Sequence, residues 1–343
     1  MNSSSTLASR KRVARRWAES LSDHAPALAV SPDGKLVAAG TLGGELVLLD
    51  AERGRTVRKL EGHAGGALVA GFSPDGALLA TSGFDGHVRL HDLGRAGSTP
   101  LAAGGEWVEQ LAWSSDGALF ATGAARTLRF WSRDGRLVGE AQPHASTISA
   151  LFFAPGTRRA VTACYGGVFA HEPERRKPVQ QYEWKGSILA LAGRADGAWI
   201  AAGTQEASVM VFRASTGKPL EMTGFPGKVR ALAWSPSGQM LATSSSVAIT
   251  LWSFQGRGPA GQTPDIIRGL RGRTTGLLFA SERRVVSSCD DGVFRVHRRS
   301  GKWKLEAADD VGAPLLSLAL APEGRRAFAS TKDGQLLCWD LEP

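Results

Sequence analysis

Apolar residues in this chain recur in short alternating runs that stop at turns of one kind. Leu111 with Trp113, Leu151 with Phe153, Leu232 with Trp234 and Leu277 with Phe279 each stand one residue apart, the period of a strand with one buried face. A Ser-Pro-Asp-Gly-like turn follows, in which Pro presets φ and Asp-Gly reverses the chain into a second strand. The full pattern is VSPDGKLVAAG from Val30, FSPDGALLATSG from Phe72, WSSDGALFATG from Trp113 and WSPSGQMLATS from Trp234. Fainter copies begin at Phe153, Gly193, Phe279 and Leu320, making eight in all.

Each copy runs on to the end of a third strand, at Asp50, Asp92, Ser132, Glu172, Arg213, Ser253, Arg298 and Asp340. The steps between these ends are 42, 40, 40, 41, 40, 45 and 42 residues. In step and wording the copies resemble the tryptophan-aspartate (WD) repeat family, whose blades have four strands each. The resemblance covers residues 24 to 340, although only Trp339 and Asp340 spell the name dipeptide in full. It implies an all-β chain folded as one β-propeller domain over residues 12 to 343, behind a disordered tail of residues 1 to 11.

Strand arithmetic favours eight four-stranded blades, with seven blades and one divergent unit as the alternative. Every unit but the last is followed by a linker that can hold its fourth strand. The last has only Leu341, Glu342 and Pro343 behind it. Residues 12 to 20 (RVARRWAES) are therefore expected to close the ring as an N-terminal strand, although their composition also suits a helical arm.

In the family a structural tetrad joins a His before the first strand, a Ser or Thr in the second, the Asp of the tight turn and the Trp of the third. The second unit approaches it with His63, Ser82 and Asp85, while His91 stands where Trp would be. His144 repeats the first position, Asp291 and Asp333 the third, and Trp131, Trp252 and Trp339 end third strands. These residues are expected to be structural. Of the seven histidines, His91, His171 and His297 occupy the Trp position. Only His24 and His87 lie outside these roles, too few for a three-ligand metal site. No P-loop, GxSxG or HExxH stretch occurs, so the expectation is a non-enzymatic chain without cofactor or metal.

Recognition is the stronger expectation. In this family the surface bearing the second-to-third strand turns commonly binds partners, and two positions per blade supply it. From the first unit to the eighth, the residue opening the first strand is His24, Gly66, Trp107, Thr147, Ser187, Lys228, Arg273 and Pro314. The residue before the tight-turn Asp is Leu42, Phe84, Ala124, Tyr165, Gln205, a serine near Ser245, Asp290 and Lys332. The partner-binding candidates are Phe84, Trp107, Tyr165, His24, Lys228, Arg273 and Lys332, since aromatic and Arg side chains are the usual interface anchors.

The net charge of +9 is unevenly placed. From Arg257 to Lys304 eleven Lys and Arg face four acids, and residues 1 to 22 carry five basic residues against Glu19. If the N-terminal strand closes blade eight, the two clusters become neighbours, and Arg271, Arg273, Arg283, Arg284, Arg298 and Arg299 would give the ring one positive side. That permits an acidic protein or a nucleic-acid partner, with nucleic acid the less favoured. Cys164, Cys289 and Cys338 are far apart and fall inside expected strands, where they read as small buried hydrophobes. With no secretory h-region and no run of roughly 18 apolar residues, the expectation is a monomeric, cytoplasmic scaffold that binds protein partners and no membrane.

Overall fold

The computed structural model describes residues 11–341 except 106, 246 and 257. Residues 1–10 of the expected tail lie outside the described residues. Among those described, every regular element is a β-strand, and the strands form eight sheets of four. Each sheet is antiparallel, and in the first seven blades the strands are ordered as in the sequence from the axis outward, as in blade one, with Ala27–Val30, Leu36–Gly40, Leu46–Asp50 and Thr56–Leu60. Inner strands of successive blades touch, and Ala27–Val30 touches Leu315–Leu320 of blade eight, so the ring is closed. The fold is an eight-bladed β-propeller; the seven-bladed alternative is overturned.

The repeated turn owes its shape to one side chain folding back on the chain. Ser31 Oγ donates to Asp33 Oδ1 (2.7 Å), Lys35 N donates to the same oxygen (3.1 Å), and Leu36 N donates to Ser31 Oγ (2.9 Å). Gly34 completes the reversal at φ +70°, where a side chain would be strained. Blades two and three repeat the bond with Ser73 to Asp75 and Ser114 to Asp116, both 2.6 Å. The large residue just before the turn joins blades: Trp113 Nε1 donates to Gly71 O (3.0 Å) and Trp234 Nε1 to Ala192 O (3.1 Å) of the preceding blade. Buried Val, Ala, Leu and Phe of the second and third strands fill the space between sheets.

Closure uses the N-terminal stretch as a strand, and the helical option is overturned. Arg15–Ser20 pairs antiparallel with Gln335–Asp340 as the outer strand of blade eight, with Trp17 opposite Cys338 and Ser20 opposite Gln335. Trp17 packs on Phe328 at 5.8 Å between ring centroids, and its Nε1 donates to Ala51 O of blade one (3.1 Å). Gly54 keeps room for that indole: a Cβ there would lie 2.4 Å from the ring. Residues before the strand continue onto blade seven, where Val13 N donates to Ala308 O (3.3 Å) and Ala308 N to Lys11 O (3.2 Å).

Beneath this seam lies Asp309, a buried carboxylate on the outer strand of blade seven, Lys302–Asp310. It accepts hydrogen bonds from Arg15 Nε, from Arg12 Nε (3.1 Å) and from Trp339 Nε1 (2.9 Å). One side chain thus ties the N-terminal segment, blade seven and blade eight together.

Candidate functional site

Five blades share a backbone hydrogen bond that sets the two candidate positions side by side. Leu42 N donates to His24 O (3.0 Å), Phe84 N to Gly66 O (3.1 Å), Gln205 N to Ser187 O (2.9 Å), Asp290 N to Arg273 O (3.0 Å) and Lys332 N to Pro314 O (2.9 Å). All these residues lie at the end of the blade that carries the second-to-third strand turn. They form one rim of the ring.

On that rim the aromatic residues are conspicuous. Phe84 and Trp107 meet edge to face, with centroids 4.8 Å apart and planes at 83°. Trp107 is 57% exposed and Tyr165 55%. With more than half of each side chain left in water, burial there contributes much less than at a core position. Lys228 and Lys332 are exposed and make no ion pair among the described residues. His24 is half-buried against Asp23 (2.8 Å), and Arg273 pairs with Asp290 (3.4 Å). In blade six Ser245 is buried and Val247 is the exposed turn residue instead; a two-residue uncertainty in the turn hid it from sequence reading.

The tetrad differs from expectation in one member. His63 Nδ1–H donates to Asp85 Oδ1 (3.0 Å), and His63 Nε2 accepts from the Thr81 hydroxyl (2.9 Å), whose oxygen accepts from His91 Nε2–H (3.1 Å). Thr81, not Ser82, completes the chain, because alternation along the strand sends the two hydroxyls to opposite sheet faces. Ser82 Oγ instead donates to Val108 O of blade three (2.8 Å). Elsewhere Trp131 Nε1 donates to Thr122 Oγ1 (2.9 Å) and Trp252 Nε1 to Thr243 Oγ1 (3.4 Å), while Thr331 Oγ1 donates to Asp333. In blade four His144 Nε2 contacts Thr162 Oγ1 (2.8 Å) and His171 Nε2 (3.1 Å).

Burial holds His91 and His171 neutral. Desolvation, with His63 nearby, lowers His91 to about 4, and desolvation beside His144 lowers His171 to about 3. The Nδ1 atoms of both rings are buried without a hydrogen-bond partner. In the unfolded chain each ring takes up its proton near the ordinary 6.5. Their contribution to stability is therefore complete above that pH and declines below it, until the folded values are reached. By pH 5 the loss is on the order of 2 kcal/mol for each ring. Urea midpoints compared at pH 8 and pH 5 measure it. His91→Trp, whose indole can donate to Thr81 as Trp131 does to Thr122, is expected to flatten the profile; an unchanged profile would assign the acid sensitivity to other groups.

The expected positive side is not found. Arg284 is buried and bonded through Nε and Nη2 to Glu306, both at 3.0 Å, and Arg298 shares that carboxylate (3.3 Å). Arg295 is buried on Asp291 (2.6 Å). Arg271 and Arg273 lie at the rim, whereas Arg283, Arg298 and Arg299 lie at the opposite end of blade seven. Among the described residues no group of three or more His, Cys, Asp and Glu is placed to hold a metal, and no helix is long and apolar enough to cross a membrane. All three cysteines are buried free thiols; burial pushes Cys289 up to about 11 and Cys338 up to about 12.

Comparison with known proteins accords with this architecture. The model of the WD domain, G-beta repeat, matches residues 54–92, 100–132 and 218–246. The chain is 25% identical over 186 residues to a chicken (Gallus gallus) serine-threonine kinase receptor-associated protein, covering 53% of each chain. It is 22% identical to actin-interacting protein 1 of Drosophila melanogaster over 88% of this chain and 52% of that one. The chain thus spans about half the length of these two relatives. Among solved structures, the computationally designed Ika8 protein superposes with a TM-score of 0.81 at 21% identity, covering 94% of this chain and 98% of that one.

Proposed function

Because this chain is an eight-bladed β-propeller built of WD repeats, we propose that it is a non-enzymatic scaffold that docks a protein partner on the rim carrying Phe84, Trp107 and Tyr165. The observation that carries the reading is the exposed Trp107 set edge to face on the half-buried Phe84, with the exposed Tyr165 on the next blade. WD-repeat propellers typically hold proteins together, and two relatives are named for a kinase receptor and for actin, which supports a protein partner of some kind. Lys228, Arg273, Lys332 and His24 extend the same rim and would set orientation more than affinity. Work as a monomeric ring in the cytoplasm belongs to the same proposal, in keeping with three cysteines left as thiols.

Trp107→Ala tests it. Truncating an anchoring aromatic costs on the order of 2 kcal/mol in binding, about thirtyfold in affinity. Tagged wild-type and Trp107→Ala proteins are used to recover and titrate the same partner, and the thermal midpoint is measured alongside. Weakened binding with an unchanged midpoint is expected. A steep fall in the midpoint would make Trp107 a packing residue and end the rim reading.

A further inference from the structure

Across the ring from the aromatic arc of blades two to four, two adjoining clefts flank the outer strand of blade six and share Ile266, Arg268, Gly269 and Leu270. The first, about 510 Å3, is walled by Phe225, Pro226, Val247, Trp252 and Ile266. Val247 and Ile266 are 49% and 45% exposed, although both could have been polar at no cost to the fold. The second, about 740 Å3, runs between the outer strands Asp265–Arg268 and Lys302–Asp310 and is lined by Arg268, Arg271, Trp303, Lys304 and Lys11. Its lone acid, Glu306, is already held by Arg284 and Arg298.

Two features of the second cleft ask for an acceptor. Trp303 is 8% exposed, and its indole Nε1 is buried with no hydrogen-bond partner, a donor whose desolvation is uncompensated until something accepts from it. Arg268 and Lys304 are exposed cations with no acid paired to them among the described residues. The neighbouring cleft asks for apolar surface.

We infer that the paired clefts flanking the outer strand of blade six bind an acidic peptide segment, with an aliphatic side chain against Phe225, Val247 and Ile266 and carboxylates beside Trp303, Arg268 and Lys304. Charge complementarity selects the carboxylates, and the apolar wall selects a peptide over a bare anion. The site lies across the ring from Phe84, Trp107 and Tyr165 and does not depend on them.

A fluorescein-labelled peptide with paired leucines ahead of a run of glutamates, titrated into the full chain and followed by anisotropy, tests the inference. Saturable binding is expected. The Arg268→Glu/Lys304→Glu double variant should weaken it about tenfold or more, and Trp303→Phe, which keeps the packing on Phe279 and removes only the N–H, about threefold to tenfold. Trp107→Ala should leave it unchanged, so failure here and failure at the rim are told apart. Equal affinity of the double variant, or of a peptide with the leucines replaced by serine, overturns the inference. So does full displacement by inorganic phosphate or by duplex DNA, since either would mean an unselective anion site. Thermal midpoints equal to wild type show that the variants are folded.

Discussion

Asp309→Ala is expected to lower the unfolding free energy by about 3–5 kcal/mol, the range for removing one partner of a buried charged network. The carboxylate has no exposed side-chain surface and accepts from Arg12, Arg15 and Trp339. Burial alone would raise its pKa; the bonds from Arg15 and Trp339 outweigh this and hold it below the ordinary 3.8. Its stabilisation is therefore present above that value and is lost as pH falls through the lowered one. Alanine leaves Arg12 and Arg15 without their shared carboxylate and strands the indole N–H of Trp339 in an apolar cluster that includes Val13, Phe294 and Leu337, with Phe294 and Trp339 stacked at 4.1 Å. Urea titration with an unchanged slope measures the effect, and Asp309→Asn, which keeps an acceptor but no charge, should fall between. A loss under about 1 kcal/mol, the level of an exposed ion pair, would mean that the network is not what holds the seam.

Deleting residues 1–20 should be comparably severe, costing about 3 kcal/mol or more from the combined loss of the buried Val13, the half-buried Trp17 and the outer strand of blade eight. It also bares the edge of Gln335–Asp340, whose Leu336, Leu337, Cys338 and Trp339 are buried in the closed ring. An open strand edge of that composition is a template for pairing with another chain. Light scattering should report concentration-dependent association together with a lowered thermal midpoint. Deleting residues 1–8 leaves every described contact in place and should change neither. Equal behaviour of the two truncations would show that the outer strand of blade eight is dispensable.

Much of this fold was legible because a propeller writes its geometry as repetition. The Ser-Asp turns, the apolar pairs before them and the step of about forty residues place strands blade by blade, and the strand missing after Asp340 points to Arg15–Ser20. Side-chain partners were harder to read. Thr81 and Ser82 are chemically similar neighbours, and only the direction of the strand face decides which one reaches His63. Asp309 lies 294 residues from Arg15, so nothing local marks it as a clasp. The basic sector misled for a simpler reason: a charge count ending at Lys304 stops just short of Glu306, the carboxylate that holds Arg284 and Arg298. The rim positions could be aligned from sequence, but the docking of Phe84 on Trp107 needed the turn geometry, as did the exposure of Val247.

The strand that closes blade eight also sets a timetable. Arg16 and Asp340, which meet at 3.0 Å, are 324 residues apart. At ordinary translation speed the outer strand therefore leaves the ribosome on the order of tens of seconds before its partner exists. Throughout that interval Trp17 and the cationic segment around it have no sheet to join, while seven blades are made and can assemble beside them. Ring closure is then the last event of folding and the contact of longest loop, the kind that slows folding most. For this chain the vulnerable period lies between synthesis of the first blade and completion of the last, and the nascent N-terminus is the part that would need shielding during it.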